Sequence, residues 1–128
     1  MTEPIDVLSS ALTFLPDGSV QAGPPRMTTG SGGWQAAAFH VETDEDVHSD
    51  HWEVHPASEE AVLCLGGGGL RIYFRPEEPG GEEEMVALPA GSAVIVPRGR
   101  WHRLELDGPS DVMSIGLRDG SRQERVAP

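Results

Sequence analysis

Three side chains able to bind a cation or move a proton, His51, Glu53 and His55, occupy alternate positions of one short stretch. In an extended chain they project to the same side, while Trp52 and Val54 project to the other. Pro56 then bends the chain, and Glu59 and Glu60 follow. Imidazole, carboxylate and imidazole in a row, with a further carboxylate close behind, are costly to bury unless they bind a cation or each other. A second stretch, Gly91 to His102, runs through Ala93-Val94-Ile95-Val96 and the turn Pro97-Arg98-Gly99 to another imidazole. The two stretches read as halves of one site.

The elements that must position this site are strands. The chain of 128 residues suits one domain, and its 16 Gly and 11 Pro, with short apolar runs between them, argue for turns and strands over a helical bundle. Residues 34–41, 61–65, 85–88, 93–96, 101–106 and 112–117 read as strands, as does the stretch around His51. Leu70 to Arg75 alternates, with Leu70, Ile72 and Phe74 facing the core and Arg71, Tyr73 and Arg75 facing solvent or a pocket. The four glycines Gly66 to Gly69 suggest a tight hairpin turn. No Lys-Ser/Thr pair follows them, so they are not read as a phosphate loop. About eight short strands at close spacing predict an all-β jelly roll. Residues 1–33 read as an N-terminal arm and linker, 34–117 as the barrel domain and 118–128 as a polar tail.

The motifs resemble those of the cupins. Glu53-x-His55-x3-Glu59-x6-Gly66 is similar to the first cupin motif, with Glu53 in place of its leading His and Val47 in place of its opening Gly. Gly91 through Pro97 and Gly99 to His102 is similar to the second, departing where Leu106 replaces its final Asn. The resemblance implies a double-stranded β-helix barrel whose metal ligands are Glu53, His55, Glu59 and His102. It implies a divalent transition metal, Fe, Mn, Zn or Ni, and a pocket for a small organic molecule; oxygenase, isomerase and decarboxylase chemistry all occur in the family. His51 shares the face and is a candidate general base, a partner to a ligand, or the missing imidazole ligand itself. Glu60 is the neighbouring alternative to Glu59. The loop imidazole of His48 is read as solvated. A metal-free acid/base cluster or ligand-binding module is the competing reading.

N-terminal segments of small cupins often pack on a partner subunit, so the apolar Phe14 and Leu15 suggest a homodimer. A formal charge of −12, with no clustered Lys/Arg stripe, argues against nucleic acid and against an anionic membrane surface. No apolar run reaches the roughly 18 residues of a membrane span. Glu3 and Asp6 stand where a signal peptide carries basic residues, so a cytoplasmic location is expected. Cys64 sits within an apolar run and is expected to be a small buried hydrophobe. Trp52 and Trp101 are read as core or interface residues, with Trp101 outward, and Arg103 is left out of the pocket.

Overall fold

The computed structural model describes residues 2–26 and 32–127. Eleven strands are found among them: β1 (Ala11–Phe14), β2 (Val20–Gly23), β3 (Trp34–Val41), β4 (His51–Val54), β5 (Glu60–Gly67), β6 (Leu70–Phe74), β7 (Glu84–Leu88), β8 (Ser92–Val96), β9 (His102–Leu106), β10 (Ser110–Gly116) and β11 (Arg122–Arg125). They form two sheets, one in the order β2-β1-β3-β10-β5-β8 and the other in the order β11-β4-β9-β6-β7. All pairings are antiparallel. The expected all-β jelly roll is the fold observed.

Eight strands, β3 to β10, fall between residues 34 and 116. The others lie where the sequence suggested an arm and a tail. The hairpin β1–β2 extends the first sheet beyond β3, and β11 pairs with β4 along the edge of the second. Within β3 to β10 only β6 and β7 form a hairpin; every other connection crosses from one sheet to the other.

Gly66 to Gly69 therefore join strands of opposite sheets and are not the turn of a hairpin. Their role is close packing. The corner they form lies against the corner at 107–110, where a Cβ on Gly67 would come within 2.3 Å of the Pro109 carbonyl oxygen, and one on Gly68 within 2.8 Å of the Gly108 Cα. Gly67 also has φ +101°, in the region that disfavours side chains.

Between the sheets lies a core of Val62, Cys64, Leu70, Ile72, Phe74, Leu88, Val96 and Val112, with Cys64 buried as expected. Alternation places Val62, Cys64, Val112 and Phe39 inside. The other parity of the first sheet is apolar as well. Directly paired residues carry Leu12, Ala36, Ile115, Ala61 and Ile95 in one row across five strands, and Ala38, Met113, Leu63 and Ala93 in a parallel row across four. Ile95 is 66% exposed, and Phe14 and Trp34, paired at the end of this face, are exposed too. None of the helical turns is long and apolar enough to cross a membrane.

Gly67→Ala should destabilise the fold by about 1–3 kcal/mol through backbone strain, and by more through the clash with Pro109. Thermal denaturation should show a Tm several degrees lower; an unchanged Tm would mean that the two corners can separate at little cost.

Candidate metal centre

His51 and Glu53 project inward from β4, where Glu53 is paired directly across the strands with His102, the first residue of β9. His55 follows β4, and its carbonyl accepts a hydrogen bond of 3.1 Å from the Gly99 N–H of the Pro97–Gly99 turn. That bond ties the two sequence stretches together. Glu60 opens β5 opposite Val96 and faces inward with Val62 and Cys64.

The result is a buried group of His55, Glu60 and His102 whose ligand atoms all lie within 4.8 Å of one another. Glu60 spans the two rings: one carboxylate oxygen is 3.1 Å from His55 Nε2 and the other 3.1 Å from His102 Nε2. Glu53 Oε1 lies 3.0 Å from His55 Nε2 on a more open side of the group. Glu59 is exposed and takes no part; Glu60 stands where the motif spacing placed Glu59. The cause is strand parity, because β5 begins at Glu60 and its even-numbered residues turn inward.

The arrangement fits a divalent cation on three counts. His102 Nδ1 is 3.0 Å from the Arg100 carbonyl oxygen, which can only accept, so Nδ1 carries a proton and Nε2 is the ring atom turned toward Glu60. Two electron-pair donors 3.1 Å apart need a proton or a cation between them. His55 Nε2 is buried with no hydrogen bond, although carboxylate oxygens lie near it on both sides; neither sits along the ring N–H direction. Finally, neighbouring ligands of a first-row ion at about 2.1 Å stand about 3 Å apart, and this is the spacing of the Glu60 oxygens from the two ring nitrogens.

Without a cation the group is held by a proton. Burial opposes charge on His55, but the carboxylates of Glu53 and Glu60 more than reverse this and raise its pKa to about 9. Burial also opposes charge on Glu60, and the two imidazoles outweigh it, lowering its pKa to about 2. Glu53 is lowered as well, burial again being outweighed by His55.

A segment read as tail supplies part of the support. Ser121 Oγ lies 2.7 Å from His55 Nδ1, and Gln123 on β11 donates to Glu53 at 3.3 Å. Arg118 bonds to Ser114 Oγ, with its guanidinium 3.8 Å from Glu53 and 3.9 Å from Glu60. No spacing rule pointed to these residues, because a short polar run after the last apolar strand carries no periodic signal.

A cavity of about 260 Å³ opens over the group between the two sheets. Phe39, Val41, Val47, Val62, Leu104 and Val112 supply its apolar walls, and Glu53, Glu60, His102 and Arg118 its polar end. Asp46, His48 and His51 also border it, so His48 is on its wall as well as exposed. The loop bearing His48 is fixed by Asp46 Oδ2, which accepts from the Glu42 and Thr43 N–H groups, and by Asp44, which accepts from Leu106 N–H. Arg103 also borders the cavity, but its guanidinium stacks on Trp52 and Tyr73 and pairs with Glu105. Trp101 lies outward between Arg75 and Arg122.

No protein-family model matches the chain, and no curated protein does. Solved structures match it. A cupin-2 domain-containing protein from Shewanella frigidimarina is 22% identical with a TM-score of 0.50, over 66% of this chain and 70% of that one. Oxalate decarboxylase from Bacillus subtilis, in a study of its Mn(II) centres, is 20% identical with a TM-score of 0.54, over 75% of this chain and 24% of that one. Fe(II)-HppE is 17% identical with a TM-score of 0.52, over 66% of this chain and 42% of that one. Both enzymes are thus much longer than the part matched. The likeness is one of fold: this chain has the cupin fold, as the motifs implied.

The shifts have opposite signs. His55, raised from 6.5 to about 9, stabilises the metal-free fold fully below pH 6.5, and the contribution is lost as pH rises through 9. Glu60, lowered from 4.5 to about 2, stabilises above pH 4.5, and the contribution is lost as pH falls through 2. The Tm of chelator-treated protein should therefore be highest between about pH 4.5 and 6.5 and fall toward pH 9. A Tm that climbs steadily to pH 9 would contradict the proton-held cluster.

Proposed function

We propose that this protein is a metal-dependent cupin enzyme acting on a small organic molecule, with the metal held by His55, Glu60 and His102. The observation that carries the reading is Glu60 bridging two imidazoles at the polar end of a cavity. Two His and one carboxylate with room for further ligands suit Fe²⁺ or Mn²⁺, and that donor set recurs in oxygen-activating sites. The Mn(II) and Fe(II) of the two fold relatives agree with this choice. Bound there, the metal would supply a Lewis acid or an oxygen-activating centre. This donor set favours oxygenase over isomerase chemistry, and decarboxylase chemistry, which the Mn(II) relative carries by name, is the second choice. The competing reading is a metal-free acid/base or ligand-binding pocket, favoured by the His55 imidazolium that already neutralises part of the cluster.

In this reading Glu53 is a fourth ligand, the second through oxygen, or holds His55 in place, and Glu59 has no role in the site. His51 acts as general base at the wall of the cavity. Its Nδ1 donates to Asp50 at 2.8 Å, which orients the ring and leaves Nε2 as the proton acceptor. His51→Gln should lower kcat at least tenfold with metal content unchanged.

Elemental analysis of protein purified without chelator should find one equivalent of transition metal. Glu60→Ala and His102→Ala should lose it, and Glu59→Ala should keep it. Metal retained without Glu60, or lost without Glu59, would sink the ligand assignment; metal absent from wild type would favour the competing reading. Because His55 carries a proton at pH 7 in the metal-free protein, binding should release about one proton per metal. Calorimetry in buffers of different ionisation enthalpy measures this, and zero release would remove His55 from the ligand set.

We also propose that the protein is a homodimer through the outer face of the first sheet. The two apolar rows support this, because they carry no carboxylate themselves and let two copies of an acidic chain meet in a two-fold contact of like with like, with His40 and Asp111 at their edge. Light scattering should give twice the chain mass, and Ile95→Asp should give monomers that still bind metal. A monomeric wild type at micromolar concentration would refute the dimer.

A further inference from the structure

Arg118 stands apart from the other arginines near the site. Arg103 is committed to Glu105, Trp52 and Tyr73 on the outer side of its sheet. Arg118 borders the cavity with its side chain 15% exposed, and among the described residues its guanidinium makes one hydrogen bond, to Ser114 Oγ. Glu53 and Glu60 approach it at 3.8 and 3.9 Å, beyond hydrogen-bonding range. A guanidinium has five N–H donors, so most of those on Arg118 remain open to the cavity.

The charges facing the cavity can be counted. Glu53, Glu60 and Asp46 are negative and Arg118 is positive; Asp46 lies at the exposed rim, where its carboxylate accepts from the Glu42 and Thr43 N–H groups, so the negative charges beside Arg118 are those of Glu53 and Glu60. A divalent cation bound by His55, Glu60 and His102 would cancel the two carboxylates. Arg118 would then be left as a cation in a mostly apolar cavity with donors to spare, and an unpaired charge there is costly.

We propose that the substrate is a small monoanion, a monocarboxylate with a compact apolar body, whose anionic group is held by Arg118. This rests on the metal-dependent reading above and adds the substrate class to it. The carboxylate pairs with Arg118 where the metal has drawn the charge of Glu53 and Glu60 to itself, and takes the planar fork of the guanidinium in two parallel hydrogen bonds. The apolar body packs on Phe39, Val47, Leu104 and Val112. The cavity, at about 260 Å³, is smaller than those that hold drug-sized ligands, which limits the body to about one ring or one branched chain.

Benzoate and benzamide share a shape and differ in charge, so they serve as the test pair. Calorimetry on metal-loaded protein should give benzoate about tenfold or more tighter than benzamide. Arg118→Gln should abolish the preference and Arg118→Lys should keep part of it, both variants retaining one equivalent of metal as the check on folding. Equal affinity of wild type for the two probes would overturn the proposal. So would an undiminished preference in Arg118→Gln, which would assign the anion to the metal alone. Wild type that binds no metal would overturn the metal-dependent reading and this one with it, whereas metal bound without benzoate preference overturns this one only.

Discussion

A single carboxylate held between two imidazoles governs the arrangement of this protein. Glu60 comes from one sheet, His102 from the other, and His55 from the connection between them, so their meeting fixes how the two sheets face each other at that end of the barrel. Burying a carboxylate costs several kcal/mol unless its partners are in place. The partners are themselves held: His102 by the Arg100 carbonyl, His55 by Ser121, Glu53 by Gln123. The polar end is rigid for that reason, and the remainder of the cavity can be apolar and simply shaped.

Much of this was legible in the sequence, and the parts that were not had identifiable causes. The alternation of Leu70, Ile72 and Phe74 and the spacing of the glycines and prolines gave strands close to those observed between residues 34 and 116. His55 and His102 were placed together from the two motifs. Glu60 was passed over for Glu59 because residue spacing was counted where strand parity decides: Val62 and Cys64 face inward, so Glu60 does as well. The same kind of oversight turned Gly66 to Gly69 into a hairpin. Local composition reveals a sharp turn, whereas the sheet to which the next strand belongs depends on pairing with β9, far along the chain. Arg118 and Ser121 were invisible for another reason, since their importance lies wholly in what they contact after folding.

The first sheet carries unbroken apolar rows at both parities, whereas the outer parity of the second mixes Trp52, Met85 and Ala87 with arginines. On the outside of the second, Arg71, Tyr73, Arg75, Trp52, Trp101 and Arg103 form a layer of guanidinium groups over rings, closed by Glu105, Asp107 and Glu124. That layer shields the aromatic surface from water with the protein's own cations. On the first sheet no such layer covers Ile95, Phe14 and Trp34. The two outer faces thus differ, one covered from within the chain and the other left apolar and open.

The docking of β11 against β4 has a consequence for how the cluster is closed. His55, Glu60 and His102 precede Arg118, Ser121 and Gln123 in the chain, and only the latter complete the shell around His55 and Glu53. The barrel strands can pair while the site is still half-walled. The wall of the cluster is therefore complete only once residues 118–125 lie against the sheet edge, so the barrel and the surroundings of its buried charges are fixed by separate contacts.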